Sequence, residues 1–172
     1  MPALGFFFQD HWRQQLIIVG LTAKKRESPV KGRLSFLLYV VRKKKNICAS
    51  YYVKLQNAYI AESGDQLGNW FLIGYKGPGA VTTAGSKTTA ETSASTNFVY
   101  TGEFAGSVAL ATGGIGWKAA NKAKLNDCAG NGTTYNWTIT IAAGSAAGEA
   151  TYTPNVANDN CETLTPSFKS IK

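Results

Sequence analysis

YNWTITIA, at residues 135–142, is the stretch that most limits the fold. Tyr135, Trp137, Ile139 and Ile141 alternate with Asn136, Thr138, Thr140 and Ala142. A period of two puts the large side chains on one face of a strand and the small or polar ones on the other. Such a strand suits a sheet with one buried and one wet face, which is the antiparallel arrangement. A helix would scatter the same residues around its axis. Cys128 precedes this strand and Cys161 follows it, each after an Asn/Asp cluster, LNDC and NDNC.

Shorter segments read the same way: FVYT (98–101), GSVALAT (106–112), IGWKA (115–119) and EATYT (149–153). Glycines at 113–114, 130, 132, 144 and 148 supply the turns between them. Residues 81–97 hold nine Ser/Thr in seventeen positions without periodicity, which predicts an exposed loop. Before it, GNWFLIGYKGPGA (68–80) joins an apolar run to a Gly-Pro-Gly turn.

Upstream the period changes. In ICASYYVKLQNAYIAES (47–63), Cys48, Tyr52, Leu55 and Tyr59 fall at helical spacing and form one apolar stripe, with Lys54, Gln56 and Asn57 on other faces. Gly64-Asp65 is a stop signal. A helix followed by a meander predicts the α+β class: one N-terminal helix packed on an antiparallel β-sheet. The basic segment before it, residues 1–46, has broken apolar runs and no pattern that selects an element.

Charge divides the chain at the same place. Residues 1–46 hold ten Lys/Arg against Asp10 and Glu27, a net +8, whereas residues 47–172 hold eight of each sign, a net of zero. The basic pI therefore says nothing about what the C-terminal domain binds. The longest apolar runs, LIIVGL and LSFLLYVV, are far shorter than the ~18–20 residues of a membrane span.

Few residues in the domain point to chemistry. His11, the single histidine, lies in the basic segment, so the domain has no ordinary triad base and no His-rich metal site. Its eight carboxylates are scattered, and no pair is selected by spacing. Asp127 and Asp159 sit among asparagines, but no D-x-[DN]-x-[DN]-G calcium loop occurs. GGIG (113–116) lacks dinucleotide spacing and reads as a turn. WKAANKAKL (117–125) offers Lys118, Lys122 and Lys124 either as a basic patch or, the favoured reading, as a solvated edge. The sequons NGT (131–133) and NWT (136–138) are at chance level in a chain so rich in Asn and Thr. The expectation is a non-enzymatic protein with no cofactor and no metal.

The cysteines carry more. No C-x-x-C occurs, and Cys48 lies on the helix stripe as a small apolar residue. A Cys128–Cys161 bridge would close a loop of about 34 residues and stabilise by ~4 kcal/mol on the chain-entropy model, in an oxidising compartment. Two unrelated free thiols are the alternative.

ASYYVKLQNAYIAESGD as a helix end, WFLIGYKGPG after it, and NFVYTGEFAGSVALATGGIGWKAANKAKLNDC up to a cysteine resemble the globular half of a type IV pilin. The resemblance covers about 47–172. It implies a disulfide between Cys128 and Cys161 enclosing residues 129–160, the so-called D-region. It implies a helix stripe (Cys48, Tyr52, Leu55, Tyr59) packed under the sheet. It further implies a structural subunit of a cell-surface filament, anchored in the inner membrane before assembly if the native N-terminus is restored, with other pilin subunits and the assembly machinery as partners. Adhesion, twitching motility or DNA uptake would be its uses, with a surface or polysaccharide as a target; nucleic acid is disfavoured by the neutral domain. Two other readings stand beside it: a type II secretion pseudopilin, and a secreted β-rich carbohydrate-binding module using Trp70, Trp117 and Trp137.

The start of the chain departs from the family. Gly5-Phe6 followed by Asp10 imitates the pilin Gly-Phe…Glu spacing, but the leader MPAL has no Lys/Arg and HWRQQ interrupts the apolar run. The expectation is that residues 1–46 are not a native pilin N-terminus, the reading frame having been shifted, fused or begun at the wrong start.

Overall fold

In the computed structural model, residues 48–172 are described; the basic segment 1–46 and His11 lie outside them. Helix α1 covers residues 48–63 of the described chain. It stops at Gly64, whose φ of 67° lets its N–H reach back to the Ile60 carbonyl at 3.2 Å. Its buried face is Ala49, Tyr52, Val53, Gln56 and Ile60. Tyr52 of the expected stripe is central, Leu55 and Tyr59 pack against the core from its rim, and Cys48 is half-buried. Gln56, expected on another face, is fully buried. Its carboxamide, oriented by its partners, donates to the Gly68 carbonyl at 3.0 Å and accepts from the Gly68 N–H at 2.9 Å.

Eight strands follow: β1 (Gln66–Leu67), β2 (Ala80–Thr83), β3 (Thr92–Ala94), β4 (Phe98–Thr101), β5 (Val108–Ala109), β6 (Gly114–Asn121), β7 (Trp137–Ala143) and β8 (Ala150–Val156). β1 and β5 form a two-stranded sheet, and the other six form one antiparallel sheet in the order β2-β3-β4-β6-β7-β8. The class is mixed α+β, mostly β. β3 and all of β2 but Ala80 lie inside the stretch read as an exposed loop. Threonine tolerates strand geometry, and the pairing with β4 decides its conformation here.

Cross-strand register sorts the two faces. Ser93, Tyr100, Ala119, Trp137 and Val156 stand side by side across five strands, and all are buried. The adjacent outward row is Thr92, Thr101, Lys118, Thr138 and Asn155. Three pieces contribute to the buried side: Tyr52 from α1, Trp70 and Tyr75 from the 68–77 segment, and Leu164, Phe168 and Ile171 from the C-terminal tail. Tyr75 is the hinge of this layer. Its ring meets Tyr52 (5.5 Å) and Trp70 (4.8 Å) edge to face, and its hydroxyl accepts from Trp117 Nε1 at 3.0 Å.

Both sheet edges are blunted against further pairing. β2 is short and its register slips between Val81 and Thr83. In β8, the Ala157 N–H bonds back to the Asn136 carbonyl, so even-numbered residues direct their backbone groups outward. Pro154 occupies one of those outward positions and has no N–H to offer.

Candidate functional site

The two clusters that announced the cysteines have separate local jobs. In LNDC, Leu125 and Cys128 exchange backbone hydrogen bonds at 3.0 and 3.1 Å, and Asn126 takes φ 53° in the tight turn between them. In NDNC, the Asn158 side chain accepts from the Cys161 N–H at 3.0 Å and caps a single helical turn, α2 (Asp159–Glu162). These two devices bring the thiols together: Cys128 and Cys161 form a disulfide, both fully buried, with Cα atoms 4.6 Å apart. The bridge encloses β7 and β8.

Beside it lies a buried amide network that sequence reasoning missed. Asn121 Nδ2 donates to the carbonyls of Ala123, Cys128 and Ala129 at 2.9–3.1 Å. Asn136 Nδ2 donates to Asn121 Oδ1 (2.7 Å) and to the Ala129 carbonyl (2.8 Å). Asn121 and Asn136 are 0% and 4% exposed, so these bonds replace water for a loop that would otherwise bury bare carbonyls. The NWT sequon is therefore sealed in the core, whereas Asn131 of NGT is exposed. Tyr135, expected to share the buried face of its strand, lies before β7 begins and is capped by Lys118 Nζ, 4.4 Å from its ring centroid.

The tail after Cys161 packs as a plug. Leu164, Thr165, Phe168 and Ile171 are all buried, Trp137 Nε1 donates to Thr165 Oγ1 at 2.7 Å, and Phe168 lies 5.8 Å from Trp117. Cys161 thus begins a packed segment.

The competing sites lose their residues. Trp70, Trp117 and Trp137 are at most 1% exposed and cannot present a stacking platform to a sugar. Within the lysine run, Lys118 pairs with Glu103 at 2.7 Å and Lys124 with Asp127 at 3.3 Å, which among the described residues leaves Lys122. Among the described residues no three His, Cys, Asp or Glu side chains converge as metal ligands, and no helix is long and apolar enough to cross a membrane. An open cleft of about 370 Å³ runs between Asp65, Leu110 and the β7–β8 turn at Gly148-Glu149.

One carboxylate stands apart. Glu91 is 1% exposed; its Oε2 takes a 2.9 Å ion pair from Lys76, while Oε1 has no hydrogen-bond partner among the described residues. Burial also marks the phenols. It pushes the Tyr100 hydroxyl up to about 12, against the opposing effect of its Ser95 hydrogen bond, and raises Tyr52, Tyr75 and Tyr152 as well.

No protein-family model, curated protein or solved structure matches the chain.

Proposed function

We propose that the chain is a structural subunit of a type IV pilus filament, with residues 48–172 forming its exposed headgroup. One observation carries the reading: the Cys128–Cys161 bridge fastens the tail and encloses the last two strands. That is the arrangement implied by the resemblance of these segments to pilins. The helix leading into a loop and then an antiparallel sheet supports it further. On this reading α1 packs under the sheet. The 68–97 segment and the disulfide-bounded region supply lateral contacts and the outer surface. Assembly is the mechanism, with copies of the same subunit and the assembly machinery as partners, after anchoring in the inner membrane if the native pilin N-terminus is restored. Adhesion, motility or DNA uptake would follow from what the filament surface meets.

The test is made on the native host. An antibody against 48–172 should decorate filaments in the electron microscope, and deleting the coding sequence should remove that decoration. Recovery of the chain only as a free secreted monomer, with unlabelled filaments intact, would sink the proposal.

A further inference from the structure

Asn131-Gly132 is the one Asn-Gly step in the sequence, and it lies inside the disulfide-closed region. Asn-Gly is chemically weak because glycine has no Cβ to shield its nitrogen. The Gly132 nitrogen attacks the Asn131 side-chain carbonyl carbon, forming a C–N bond. The amide nitrogen leaves as ammonia with the proton lost from the Gly132 N–H. Water then opens the resulting succinimide to aspartate or isoaspartate. The only co-reactant is water, and Asn131 is exposed to it.

The fold opposes the first step at the nucleophile. Gly132 N–H donates to the Asn121 carbonyl at 2.9 Å, so the proton that must leave is held. The electrophile is held too. Asn131 Oδ1 accepts from Thr133 N (2.9 Å), Thr134 N (2.7 Å) and Thr133 Oγ1 (3.0 Å), and Nδ2 donates to Thr134 Oγ1 at 3.0 Å. Those donors polarise the carbonyl and by themselves favour attack. The engaged Gly132 nitrogen and the single side-chain conformation oppose it, and without a free nucleophile the polarisation is idle. Asn121 is in turn fixed by its buried amide network and, through Cys128, by the bridge.

We propose that Asn131-Gly132 is a deamidation site that the closed loop withholds, so that opening of the loop is recorded as a permanent covalent change. Isoaspartate inserts a methylene into the backbone just before the nitrogen that docks on Asn121, and the modified loop cannot return to its place. Aspartate adds a negative charge and removes the donor to Thr134. A chain whose bridge fails to close is thereby marked. The inference stands on the loop geometry and does not depend on the filament reading.

The full chain is incubated at mildly alkaline pH in three states: oxidised and folded, oxidised in urea, and reduced and alkylated. Residue 131 is followed by peptide mapping. Deamidation should be at least about tenfold faster in the two opened states, the equivalent of ~1.4 kcal/mol of protection. Gly132→Ala should suppress it in urea. Asn121→Asp, which removes the donor to three carbonyls, should raise the folded-state rate; if that variant does not fold, the wild-type urea series decides alone. Equal rates in folded and opened chains, or no deamidation in urea, would overturn the proposal.

Discussion

The Tyr52 hydroxyl occupies the space above Gly116 that a Cβ would need, and Ile141 Cδ1 closes the same space at 2.8 Å. The register slips between Ile115 and Trp117, so Gly116 is the extra residue of a bulge. Its carbonyl accepts from Trp70 Nε1 at 2.9 Å. Helix, covering segment and central strand thus meet at one glycine.

Gly116→Ala should therefore cost about 1–3 kcal/mol by overpacking. Gly116 is not among the positive-φ residues, so the loss would come from contact and not from the backbone. Tyr52→Phe removes the hydroxyl at a cost of ~1 kcal/mol. In the double variant it should recover part of the Gly116→Ala loss, seen as a non-additive cycle in urea midpoints. Strict additivity would mean that the two side chains do not compete for this space.

Stability should fall on the alkaline side. Burial raises Tyr100 from 10.0 to about 12 and also raises Tyr52, Tyr75 and Tyr152, so each phenol holds its proton more tightly in the folded chain. The contribution is complete below pH 10 and is lost as pH rises through the folded values, at up to ~1.4 kcal/mol per pH unit for each of Tyr52, Tyr75 and Tyr100 and less for the part-exposed Tyr152, which water screens. Urea midpoints should be insensitive to these groups below pH 9 and decline above pH 10, with tyrosinate absorbance rising as unfolding proceeds. Normal tyrosinate titration in the folded protein would contradict the burial of these phenols.

The Lys76–Glu91 pair is lopsided, with 68% of the lysine side chain exposed against 1% of the glutamate. Lys76→Met should cost about 1–3 kcal/mol, below the usual figure for breaking a buried pair because water already screens the lysine end. Glu91→Gln should cost less, and adding it to Lys76→Met should restore most of the loss. A harmless Lys76→Met would show that the carboxylate is not held by its partner.

Much of the architecture was legible because local patterns and tertiary environment agree. The alternation from Trp137 to Ile141 survives in the structure, with all three apolar residues buried and Thr138 and Thr140 facing the other way. The helix stripe was legible to within one position: its centre runs through Ala49, Val53 and Gln56 beside Tyr52. Gln56 misled because its polarity is answered by Gly68, twelve positions away in the chain. β3 was illegible, since Thr92, Ser93 and Ala94 carry no apolar alternation and become a strand by pairing with β4. The packing of the tail was illegible, since ETLTPSFKSIK has few apolar residues, yet Leu164, Phe168 and Ile171 are all buried.

The sequence by itself determined the period of the central strand, the helix and its stop, the neutral domain charge and the two turn-forming clusters that precede Cys128 and Cys161. These depend on φ/ψ preference and on spacing along the chain, which neighbouring residues set. Only the tertiary structure decided which polar groups enter the core. Gln56, Glu91, Asn121 and Asn136 are buried because groups brought in by loop closure, two to fifteen positions away along the chain, replace water for their polar atoms, except, among the described residues, at Glu91 Oε1. No local pattern records such partners, because a buried amide and a solvated one are the same letter until the chain closes around them.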